Sequence, residues 1–319
     1  MTVKRVLILA DPPEKLVPPG DTTLRLVAEG LRRRIRFWHA DHGDLEVANG
    51  RPEVLCRAFG LTKTGFPRLS SSHRRKRLAE FDVVLFRKDP PFDLSYLHAT
   101  RIVELDSEPI VINSPAGLRK ANEKLYALNF PEAMPPTLVT ADRDRALAFL
   151  AEQKRLVAKP LDSFGGIGVV LLRYRDRGAR ALLDLMTAEG NSAALFQKYV
   201  SGVDKRVFVI DGKVEGVMIR CGVKNDFRAN MHVGGQPVLS CLTRTEQRRL
   251  KPVLEKLIQD GILFAGLDLI GGFLSEVNVT SPTGFWHYQH VSGIDLSERF
   301  WDTVERLMHR RKAPDGGGR

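Results

Sequence analysis

The sequence predicts an α/β protein. An N-terminal α/β domain on a mostly parallel sheet is followed by shorter strands, hairpins and helices. Three observations carry this. Up to about residue 120, short apolar runs alternate with helical stretches, the pattern of strands joined by crossover helices. Beyond it, strand pairs gather around glycine turns. The composition, 43% hydrophobic and 27% charged over 319 residues, is globular and large enough for two or three packed layers.

Val3 to Ala10 is rich in branched residues and ends at Asp11-Pro12-Pro13, so it reads as the first strand. Asp21 or Thr22 can cap a helix running towards Arg34. Further strands are expected at Arg36 to Ala40, Phe81 to Phe86 and Pro109 to Asn113. Leu156 to Lys159 is a short strand stopped by Pro160. The glycine-rich turn 161–168 leads to a returning strand, Val169 to Arg173. Ala179 to Glu189 reads as a helix and Ala194 to Val200 as a strand. Asp211-Gly212 between two apolar runs is the signal of a type I′ hairpin. Thr245 to Asp260 is an amphipathic helix with Leu250, Val253, Leu254, Leu257 and Ile258 on one face. Leu263 to Ile270 and Phe273 to Val279 are the last strands, and Ser297 to Met308 is a terminal helix.

Lys and Arg number 49 against 38 acids, a formal charge of +11, which suits polyanions such as nucleotide phosphates. The runs 32–34, 73–77 and 309–312 read as solvated helix ends and loops. No zinc-finger spacing or helix-turn-helix accompanies them, so nucleic acid is not expected as a partner. No apolar run reaches the ~18 residues of a membrane span. Val6 to Ala10 is too short for a signal peptide core. Three scattered cysteines without a CxxC pair suggest a reduced, cytoplasmic protein.

Lys159 enters the glycine-rich turn from a strand. Glycines let backbone N–H groups close over phosphate oxygens, and a lysine adds a point charge. The arrangement is neither a Walker P-loop nor a dinucleotide fingerprint, and it suits a flap folding down on a nucleotide. Asp268, Glu276 and Asn278 offer hard oxygens suited to Mg²⁺, with Glu276 and Asn278 alternating onto one face. For Asp268 to share that face, the connection must hold an odd number of residues. A three-residue loop, Gly271-Gly272-Phe273, meets this. Arg206, Arg228 and Asn230 add an electrostatic clamp for phosphoryl transfer. No GxSxG or HExxH occurs, so chemistry driven by a bound activator fits better than a protein nucleophile.

These motifs together resemble the bacterial-type glutathione synthetases of the ATP-grasp superfamily. The resemblance runs through Arg87-Lys88-Asp89-Pro90-Pro91-Phe92-Asp93, Asn122-Glu123-Lys124-Leu125, Lys159-Pro160-Leu161-Asp162, Gln197-Lys198-Tyr199-Val200, Asp204-Lys205-Arg206-Val207 and Gly266-Leu267-Asp268. It closes with Glu276 to Gly284, and covers most of the chain in order. It implies an N-terminal α/β domain over 1–120, an ATP-grasp small subdomain with a glycine-rich flap over 121–200, and a C-terminal catalytic subdomain over 201–319. By match, Lys124 and Lys159 would contact ATP phosphates, with Gly165 and Gly166 in the flap. Gln197, Lys198, Tyr199 and Val200 would line the adenine, and Asp204 would belong to the same nucleotide site. Asp268, Glu276 and Asn278 would hold Mg²⁺, or Mn²⁺ in its place. Arg206, Arg228 and Asn230 would face the transferring phosphoryl and the acyl phosphate.

The implied reaction is ATP-dependent joining of a carboxylate to an amine, γ-glutamylcysteine to glycine. Ser281, Thr283 and Gly284 would form the acceptor turn, their N–H groups offered to a carboxylate. Phe285, Trp286 and Tyr288 would wall the pocket or pack on a neighbouring subunit of a homo-oligomer. After Gly284 the family has an aliphatic residue and then a glutamate nearby, whereas this chain reads Phe285-Trp286-His287-Tyr288-Gln289-His290. Two alternatives stay open: a peptide ligase with another carboxylate and amine, and a non-catalytic nucleotide- or nucleic-acid-binding protein. The loops at 165–167 and 225–234 are expected to close over bound nucleotide.

Overall fold

The computed structural model describes residues 2–221 and 236–312. In chain order the first part contains β1 (Arg5–Ala10), α1 (Thr22–Arg32), β2 (Arg36–Ala40), β3 (Leu45–Ala48), β4 (Arg51–Leu61), β5 (Pro67–Leu69), β6 (Arg74–Arg77), β7 (Val83–Arg87), α2 (Leu94–Glu104), β8 (Ile110–Ile112) and α3 (Pro115–Lys120). Strands run in the order β3-β4-β2-β1-β7-β8, with β5 and β6 also paired to β4. β2, β1, β7 and β8 are parallel. Val6, Leu7, Ile8 and Leu9 are all fully buried, as a central parallel strand covered on both faces requires. The Asp21 carboxylate accepts the Leu24 N–H at 2.9 Å and starts α1.

The antiparallel extension β3–β6 is absent from the sequence reading. The basic run 73–77 is largely an edge strand rather than a helix end or loop. Arg74 to Arg77 pair with Cys56 to Glu53, and Arg75 reaches Glu46 at 2.9 Å. Alternating long cations are compatible with an edge strand whose outer side is wet.

The second sheet holds β9 (Thr137–Thr140), β10 (Arg155–Pro160), β11 (Val170–Arg173) and β12 (Ala194–Lys198), in the order β11-β10-β12-β9 and antiparallel throughout. The helices α4 (Arg143–Gln153) and α5 (Ala179–Met186) cover it. The third sheet runs β15-β14-β13-β16-β17, from β13 (Asp204–Ile210), β14 (Lys213–Cys221), β15 (Gln236–Leu239), β16 (Phe264–Ile270) and β17 (Phe273–Asn278). Asp211 and Gly212 both have positive φ, 51° and 68°, as the expected type I′ turn requires. The helix α6 (Arg244–Gln259) opens with a reciprocal cap between Thr243 and Glu246. It buries Leu250, Val253 and Leu257, but Ile258 is 56% exposed, so the apolar face is narrower than the sequence implied. Two helices close the chain, α7 (Phe285–Ser292) and α8 (Leu296–Lys312). α8 runs four residues past the Met308 end expected from the sequence.

Two buried apolar clusters each draw side chains from both the first and third sheets, while the second sheet has its own. Asn113 joins the first and third sheets. Its amide donates to the carbonyls of Phe264 and Val279, both at 2.7 Å, and its oxygen accepts the Phe264 N–H at 2.8 Å. A fully bonded buried amide fixes that junction, while the second sheet is held by fewer shared core residues.

Candidate active site

A cavity of about 540 Å³ lies where the three sheets meet. That volume suits a nucleotide-sized ligand. Lys159, at the end of β10, is buried in its wall. Its ammonium donates to Ser275 Oγ at 2.7 Å and to Gln197 Oε1 at 3.3 Å. Burial pushes its pKa down, opposed chiefly by the negative charge of Glu276.

Ser275 reaches Lys159 because of a bulge. Ile270 pairs with Phe273, so the turn is the two-residue Gly271-Gly272, with φ of 57° and 79°. The expected three-residue loop is therefore incorrect. The odd residue sits further along: the register shifts between Asp268 and Leu269, Ser275 is extruded, and Asp268 pairs with Glu276. The shared face required by the metal hypothesis is present, created by a bulge rather than by the loop.

Asp268 is buried between Arg206, 3.1 Å away, and Arg220, 3.2 Å away. Burial would raise its pKa, but these two arginines outweigh it and hold the carboxylate below its usual range. Asp204, also in the cavity wall, accepts from Arg220 Nε at 3.0 Å and Nη2 at 2.5 Å. Burial lifts its pKa to about 6, against the pull of Arg220. Glu123 completes the acidic wall. Burial and then the charge of Glu276 raise it to about 7. Its carboxylate accepts from Thr280 Oγ1 at 3.4 Å, and its carbonyl accepts the Val277 N–H at 2.9 Å.

The donor set fits a hard divalent cation. Asp268 Oδ1 is buried without a hydrogen-bond partner, despite the nearby charge of Arg206. Asn278 donates its N–H groups to Gly266 O at 3.2 Å and Asp268 Oδ2 at 3.4 Å, so its carbonyl oxygen is the atom with ligating chemistry. Desolvated acids facing one another favour a cation that neutralises them. Gly266 has a separate role: a Cβ there would lie 2.5 Å from Arg206 Nη1, so the missing side chain makes room for the guanidinium.

Gln197, Lys198, Tyr199 and Val200 all border the cavity, as do Gly165 and Gly166. Lys124 does not. It is 2% exposed, and its ammonium donates to the Ser163 carbonyl at the base of the glycine loop. Arg228 and Asn230, and the loop 225–234, lie outside the described residues. Sequence reasoning passed over Glu123, Arg220 and Ser275. Glu123 stands beside Lys124 in a matched motif, and Arg220 interrupts an apolar strand. Nothing local in the sequence marks Ser275.

Ser281, Thr283 and Gly284 border the cavity. The N–H groups of Gly284 and Phe285, however, both donate to Thr22 Oγ1, at 3.1 and 3.4 Å, so they are not on offer to a substrate carboxylate. The aromatic wall is also corrected. Phe285 packs against Phe208 and Phe264, with centroids 5.7 and 5.1 Å away, and Tyr288 against Phe208 at 5.5 Å. Both point into the core because the run folds as α7, which places residues three apart on one face. Trp286 stacks on His290. None of the three borders the cavity; His287 does.

The fold and this cavity define an ATP-grasp ligase. The model of the prokaryotic glutathione synthetase N-terminal domain matches residues 5–119, and that of its ATP-grasp domain matches residues 123–293. A glutathione synthetase of Gloeobacter violaceus is 36% identical, covering 93% of this chain and 95% of the relative. One of Agrobacterium fabrum is 32% identical, covering 98% and 99%. Among solved structures, the D-cycloserine synthetase DcsG aligns with a TM-score of 0.65 at 17% identity, covering 95% of this chain and 99% of its own. The ATP-grasp ligase PsnB, solved with a minimal precursor, Mg and ADP, aligns with a TM-score of 0.61 at 16% identity, covering 96% and 98%. This chain belongs to the prokaryotic glutathione synthetase family. It is an ATP-dependent ligase that forms C–N bonds between small molecules.

Proposed function

We propose that this protein joins γ-glutamylcysteine to glycine through an acyl phosphate, using Mg-ATP. The observation that carries the reading is a single cavity holding three elements: Lys159 beside a glycine loop, the paired Asp268 and Glu276 with Asn278, and the buried arginines Arg206 and Arg220. Phosphoryl transfer asks a protein mainly for positioning and charge compensation, and these are the groups that provide it.

Residues 1–120 would supply the far wall of the substrate site, 121–200 the nucleotide-covering flap, and 201–319 the charged floor. Gln197 to Val200 would line the adenine, and Lys159 would bind phosphate oxygens. Asp268, Glu276 and Asn278 would hold Mg²⁺, which when bound offsets phosphate charge; Mn²⁺ is the natural substitute. Arg206, joined by Arg220 and, as the family resemblance implies, by Arg228 and Asn230, would stabilise the transferring phosphoryl. The carboxylate of the donor attacks the γ-phosphorus and ADP leaves. The amine then attacks the acyl carbon, and phosphate leaves with one of the carboxylate oxygens. A closed flap over Gly165 and Gly166 would exclude water that hydrolyses the acyl phosphate. Lys124, now on the Ser163 carbonyl, would couple the glycine loop to the phosphates when the flap moves.

The reading places the enzyme in the cytoplasm, where ATP and the thiol substrate occur. The three cysteines are free, and no helix among the described residues is long and apolar enough to cross a membrane. The test is a panel of carboxylates and amines scored by phosphate release and product mass. Glutathione from γ-glutamylcysteine and glycine is the expected product. A second reading, ligation of another carboxylate–amine pair, is favoured by His287 standing at the cavity near where the family has glutamate. Turnover only with a different pair would select it.

A further inference from the structure

A chain of hydrogen bonds crossing the second sheet holds the Gln197 amide in one orientation. Gln197 on β12 stands opposite Thr137 on β9 and opposite Val157 on β10, and Lys159 lies two residues beyond Val157. Opposed residues share a face, and the side-chain period along a strand is two. Thr137, Gln197 and Lys159 therefore stand on the same face of the sheet. Lys159 Nζ donates to Gln197 Oε1 at 3.3 Å. Gln197 Nε2 donates to Thr137 Oγ1 at 3.0 Å, and the Thr137 hydroxyl donates to the Pro135 carbonyl at 2.7 Å. The Lys198 N–H donates to the Pro136 carbonyl at 2.8 Å, which anchors the segment presenting Pro135 and Thr137.

Both ends of this chain are fixed by their chemistry, since an ammonium only donates and a carbonyl only accepts. The hydrogen of the Thr137 hydroxyl is committed to Pro135, so its oxygen is left to receive from Gln197. The amide nitrogen faces Thr137 and the amide oxygen faces Lys159. Turning the amide over would set its N–H groups against the ammonium and force the hydroxyl off the Pro135 carbonyl. Gln197 is 5% exposed, so water offers little compensation for those losses. Gln197 and Lys159 border the cavity and Thr137 does not. The end of the amide turned towards the Lys159 wall is thus an acceptor, with a lone pair beyond the one that takes the ammonium.

An acceptor beside a purine distinguishes its 6-substituent. It receives a hydrogen bond from an amino group and is repelled by an oxo group, whose oxygen is itself an acceptor. Resting on the reading above, which lays Gln197 to Val200 along the adenine, we propose that Thr137 is a positioning residue for nucleobase choice. It acts only through Gln197. By holding the amide oxygen in place it makes the site prefer 6-amino over 6-oxo purine nucleotides.

The test is equilibrium binding of ATP and of ITP, which carries an oxo group in place of the 6-amino group, to the full protein with Mg²⁺. Wild type should bind ATP at least about tenfold tighter than ITP. Thr137→Val keeps the branched shape and removes the hydroxyl, and should narrow that ratio about fivefold or more. Thr137→Ser restores the hydroxyl and should keep the wild-type ratio. Thr137→Ala takes the place of Thr137→Val if a thermal melt shows that the valine variant does not fold. A merely structural Thr137 would weaken both nucleotides alike. An unchanged ratio in the variant without the hydroxyl therefore overturns the proposal, whatever its absolute affinities, and so does an equal narrowing in Thr137→Ser. Equal binding of ATP and ITP by wild type overturns it as well and leaves the ligase reading intact. Absence of nucleotide binding and of turnover in wild type overturns the reading itself, and the proposal with it.

Discussion

Asp268 stands directly opposite Glu276 across the β16–β17 ladder, and it does so because one residue, Ser275, is extruded between them and the turn. The bulge has two effects. It brings two carboxylates onto the cavity face, and it hands the extruded hydroxyl to Lys159. Deleting Ser275 removes the bulge but leaves Leu269 opposite Leu274 and Asp268 opposite Glu276, so Mg²⁺-dependent binding of an ATP analogue should persist while Lys159 loses its hydroxyl partner. Ser275→Ala keeps the register and should stay within about tenfold of wild type, since it removes one hydrogen bond. Calorimetric titration of both variants decides this; loss of Mg²⁺ dependence in the deletion would show that the Asp268–Glu276 pairing alone does not make the cation site.

Lys159→Ala should lower kcat/KM by roughly one and a half to three orders of magnitude, the loss of about 2–4 kcal/mol of transition-state stabilisation. Among the described residues its ammonium hydrogen-bonds Ser275 and Gln197, two side chains on strands held by their own ladders, so the fold should persist. Steady-state kinetics beside a thermal melt separate the two effects, and near-wild-type turnover would exclude Lys159 from the site.

Gly266→Ala adds a methyl group where the Arg206 guanidinium now lies, 2.5 Å from its Nη1. The obstacle is the end of a flexible side chain, so the arginine should move and stability should change by less than about 1 kcal/mol. The expected result is a fall in kcat of about tenfold or more with little change in melting temperature. Unchanged kcat would show that the position of Arg206 is immaterial.

Glu123 gives the ligand-free protein a pH signature. Its pKa rises from 4.5 to about 7 in the fold, through burial and the neighbouring Glu276. The protonated form is the one the fold favours. This contribution to stability is complete below pH 4.5 and is lost as pH rises through about 7. It amounts to at most on the order of 3 kcal/mol. Urea unfolding without metal should show wild type losing stability from pH 5 to 7.5 relative to Glu123→Gln. Parallel pH profiles for the two proteins would contradict the shift.

How much of this was legible depended on whether the signal was local. β1, the Asp211-Gly212 hairpin and α6 announce themselves through apolar periodicity and turn chemistry within a few residues. Lys159, Asp268, Glu276 and Asn278 were legible because charge in otherwise apolar strands is costly without a partner. The Ser275 bulge was not, since extruding one residue depends on what the partner strand and Lys159 require. The β3–β6 extension was hidden because Arg74 to Arg77 have no apolar alternation, and only pairing with β4 makes them a strand. The roles expected of Gly284 and Phe285 failed for tertiary reasons: Thr22, more than 250 residues away, accepts the Gly284 N–H, and the Phe285 ring packs on Phe208 and Phe264 instead of walling the pocket.

The central claim is that the donor carboxylate is phosphorylated before the amine attacks, and isotope transfer tests it most directly. γ-Glutamylcysteine labelled with ¹⁸O in its cysteinyl carboxylate is incubated with glycine, Mg-ATP and the enzyme, and the released phosphate is analysed by mass. An acyl phosphate route delivers one ¹⁸O atom to each phosphate for every peptide bond formed. Peptide formation with unlabelled phosphate would contradict the account.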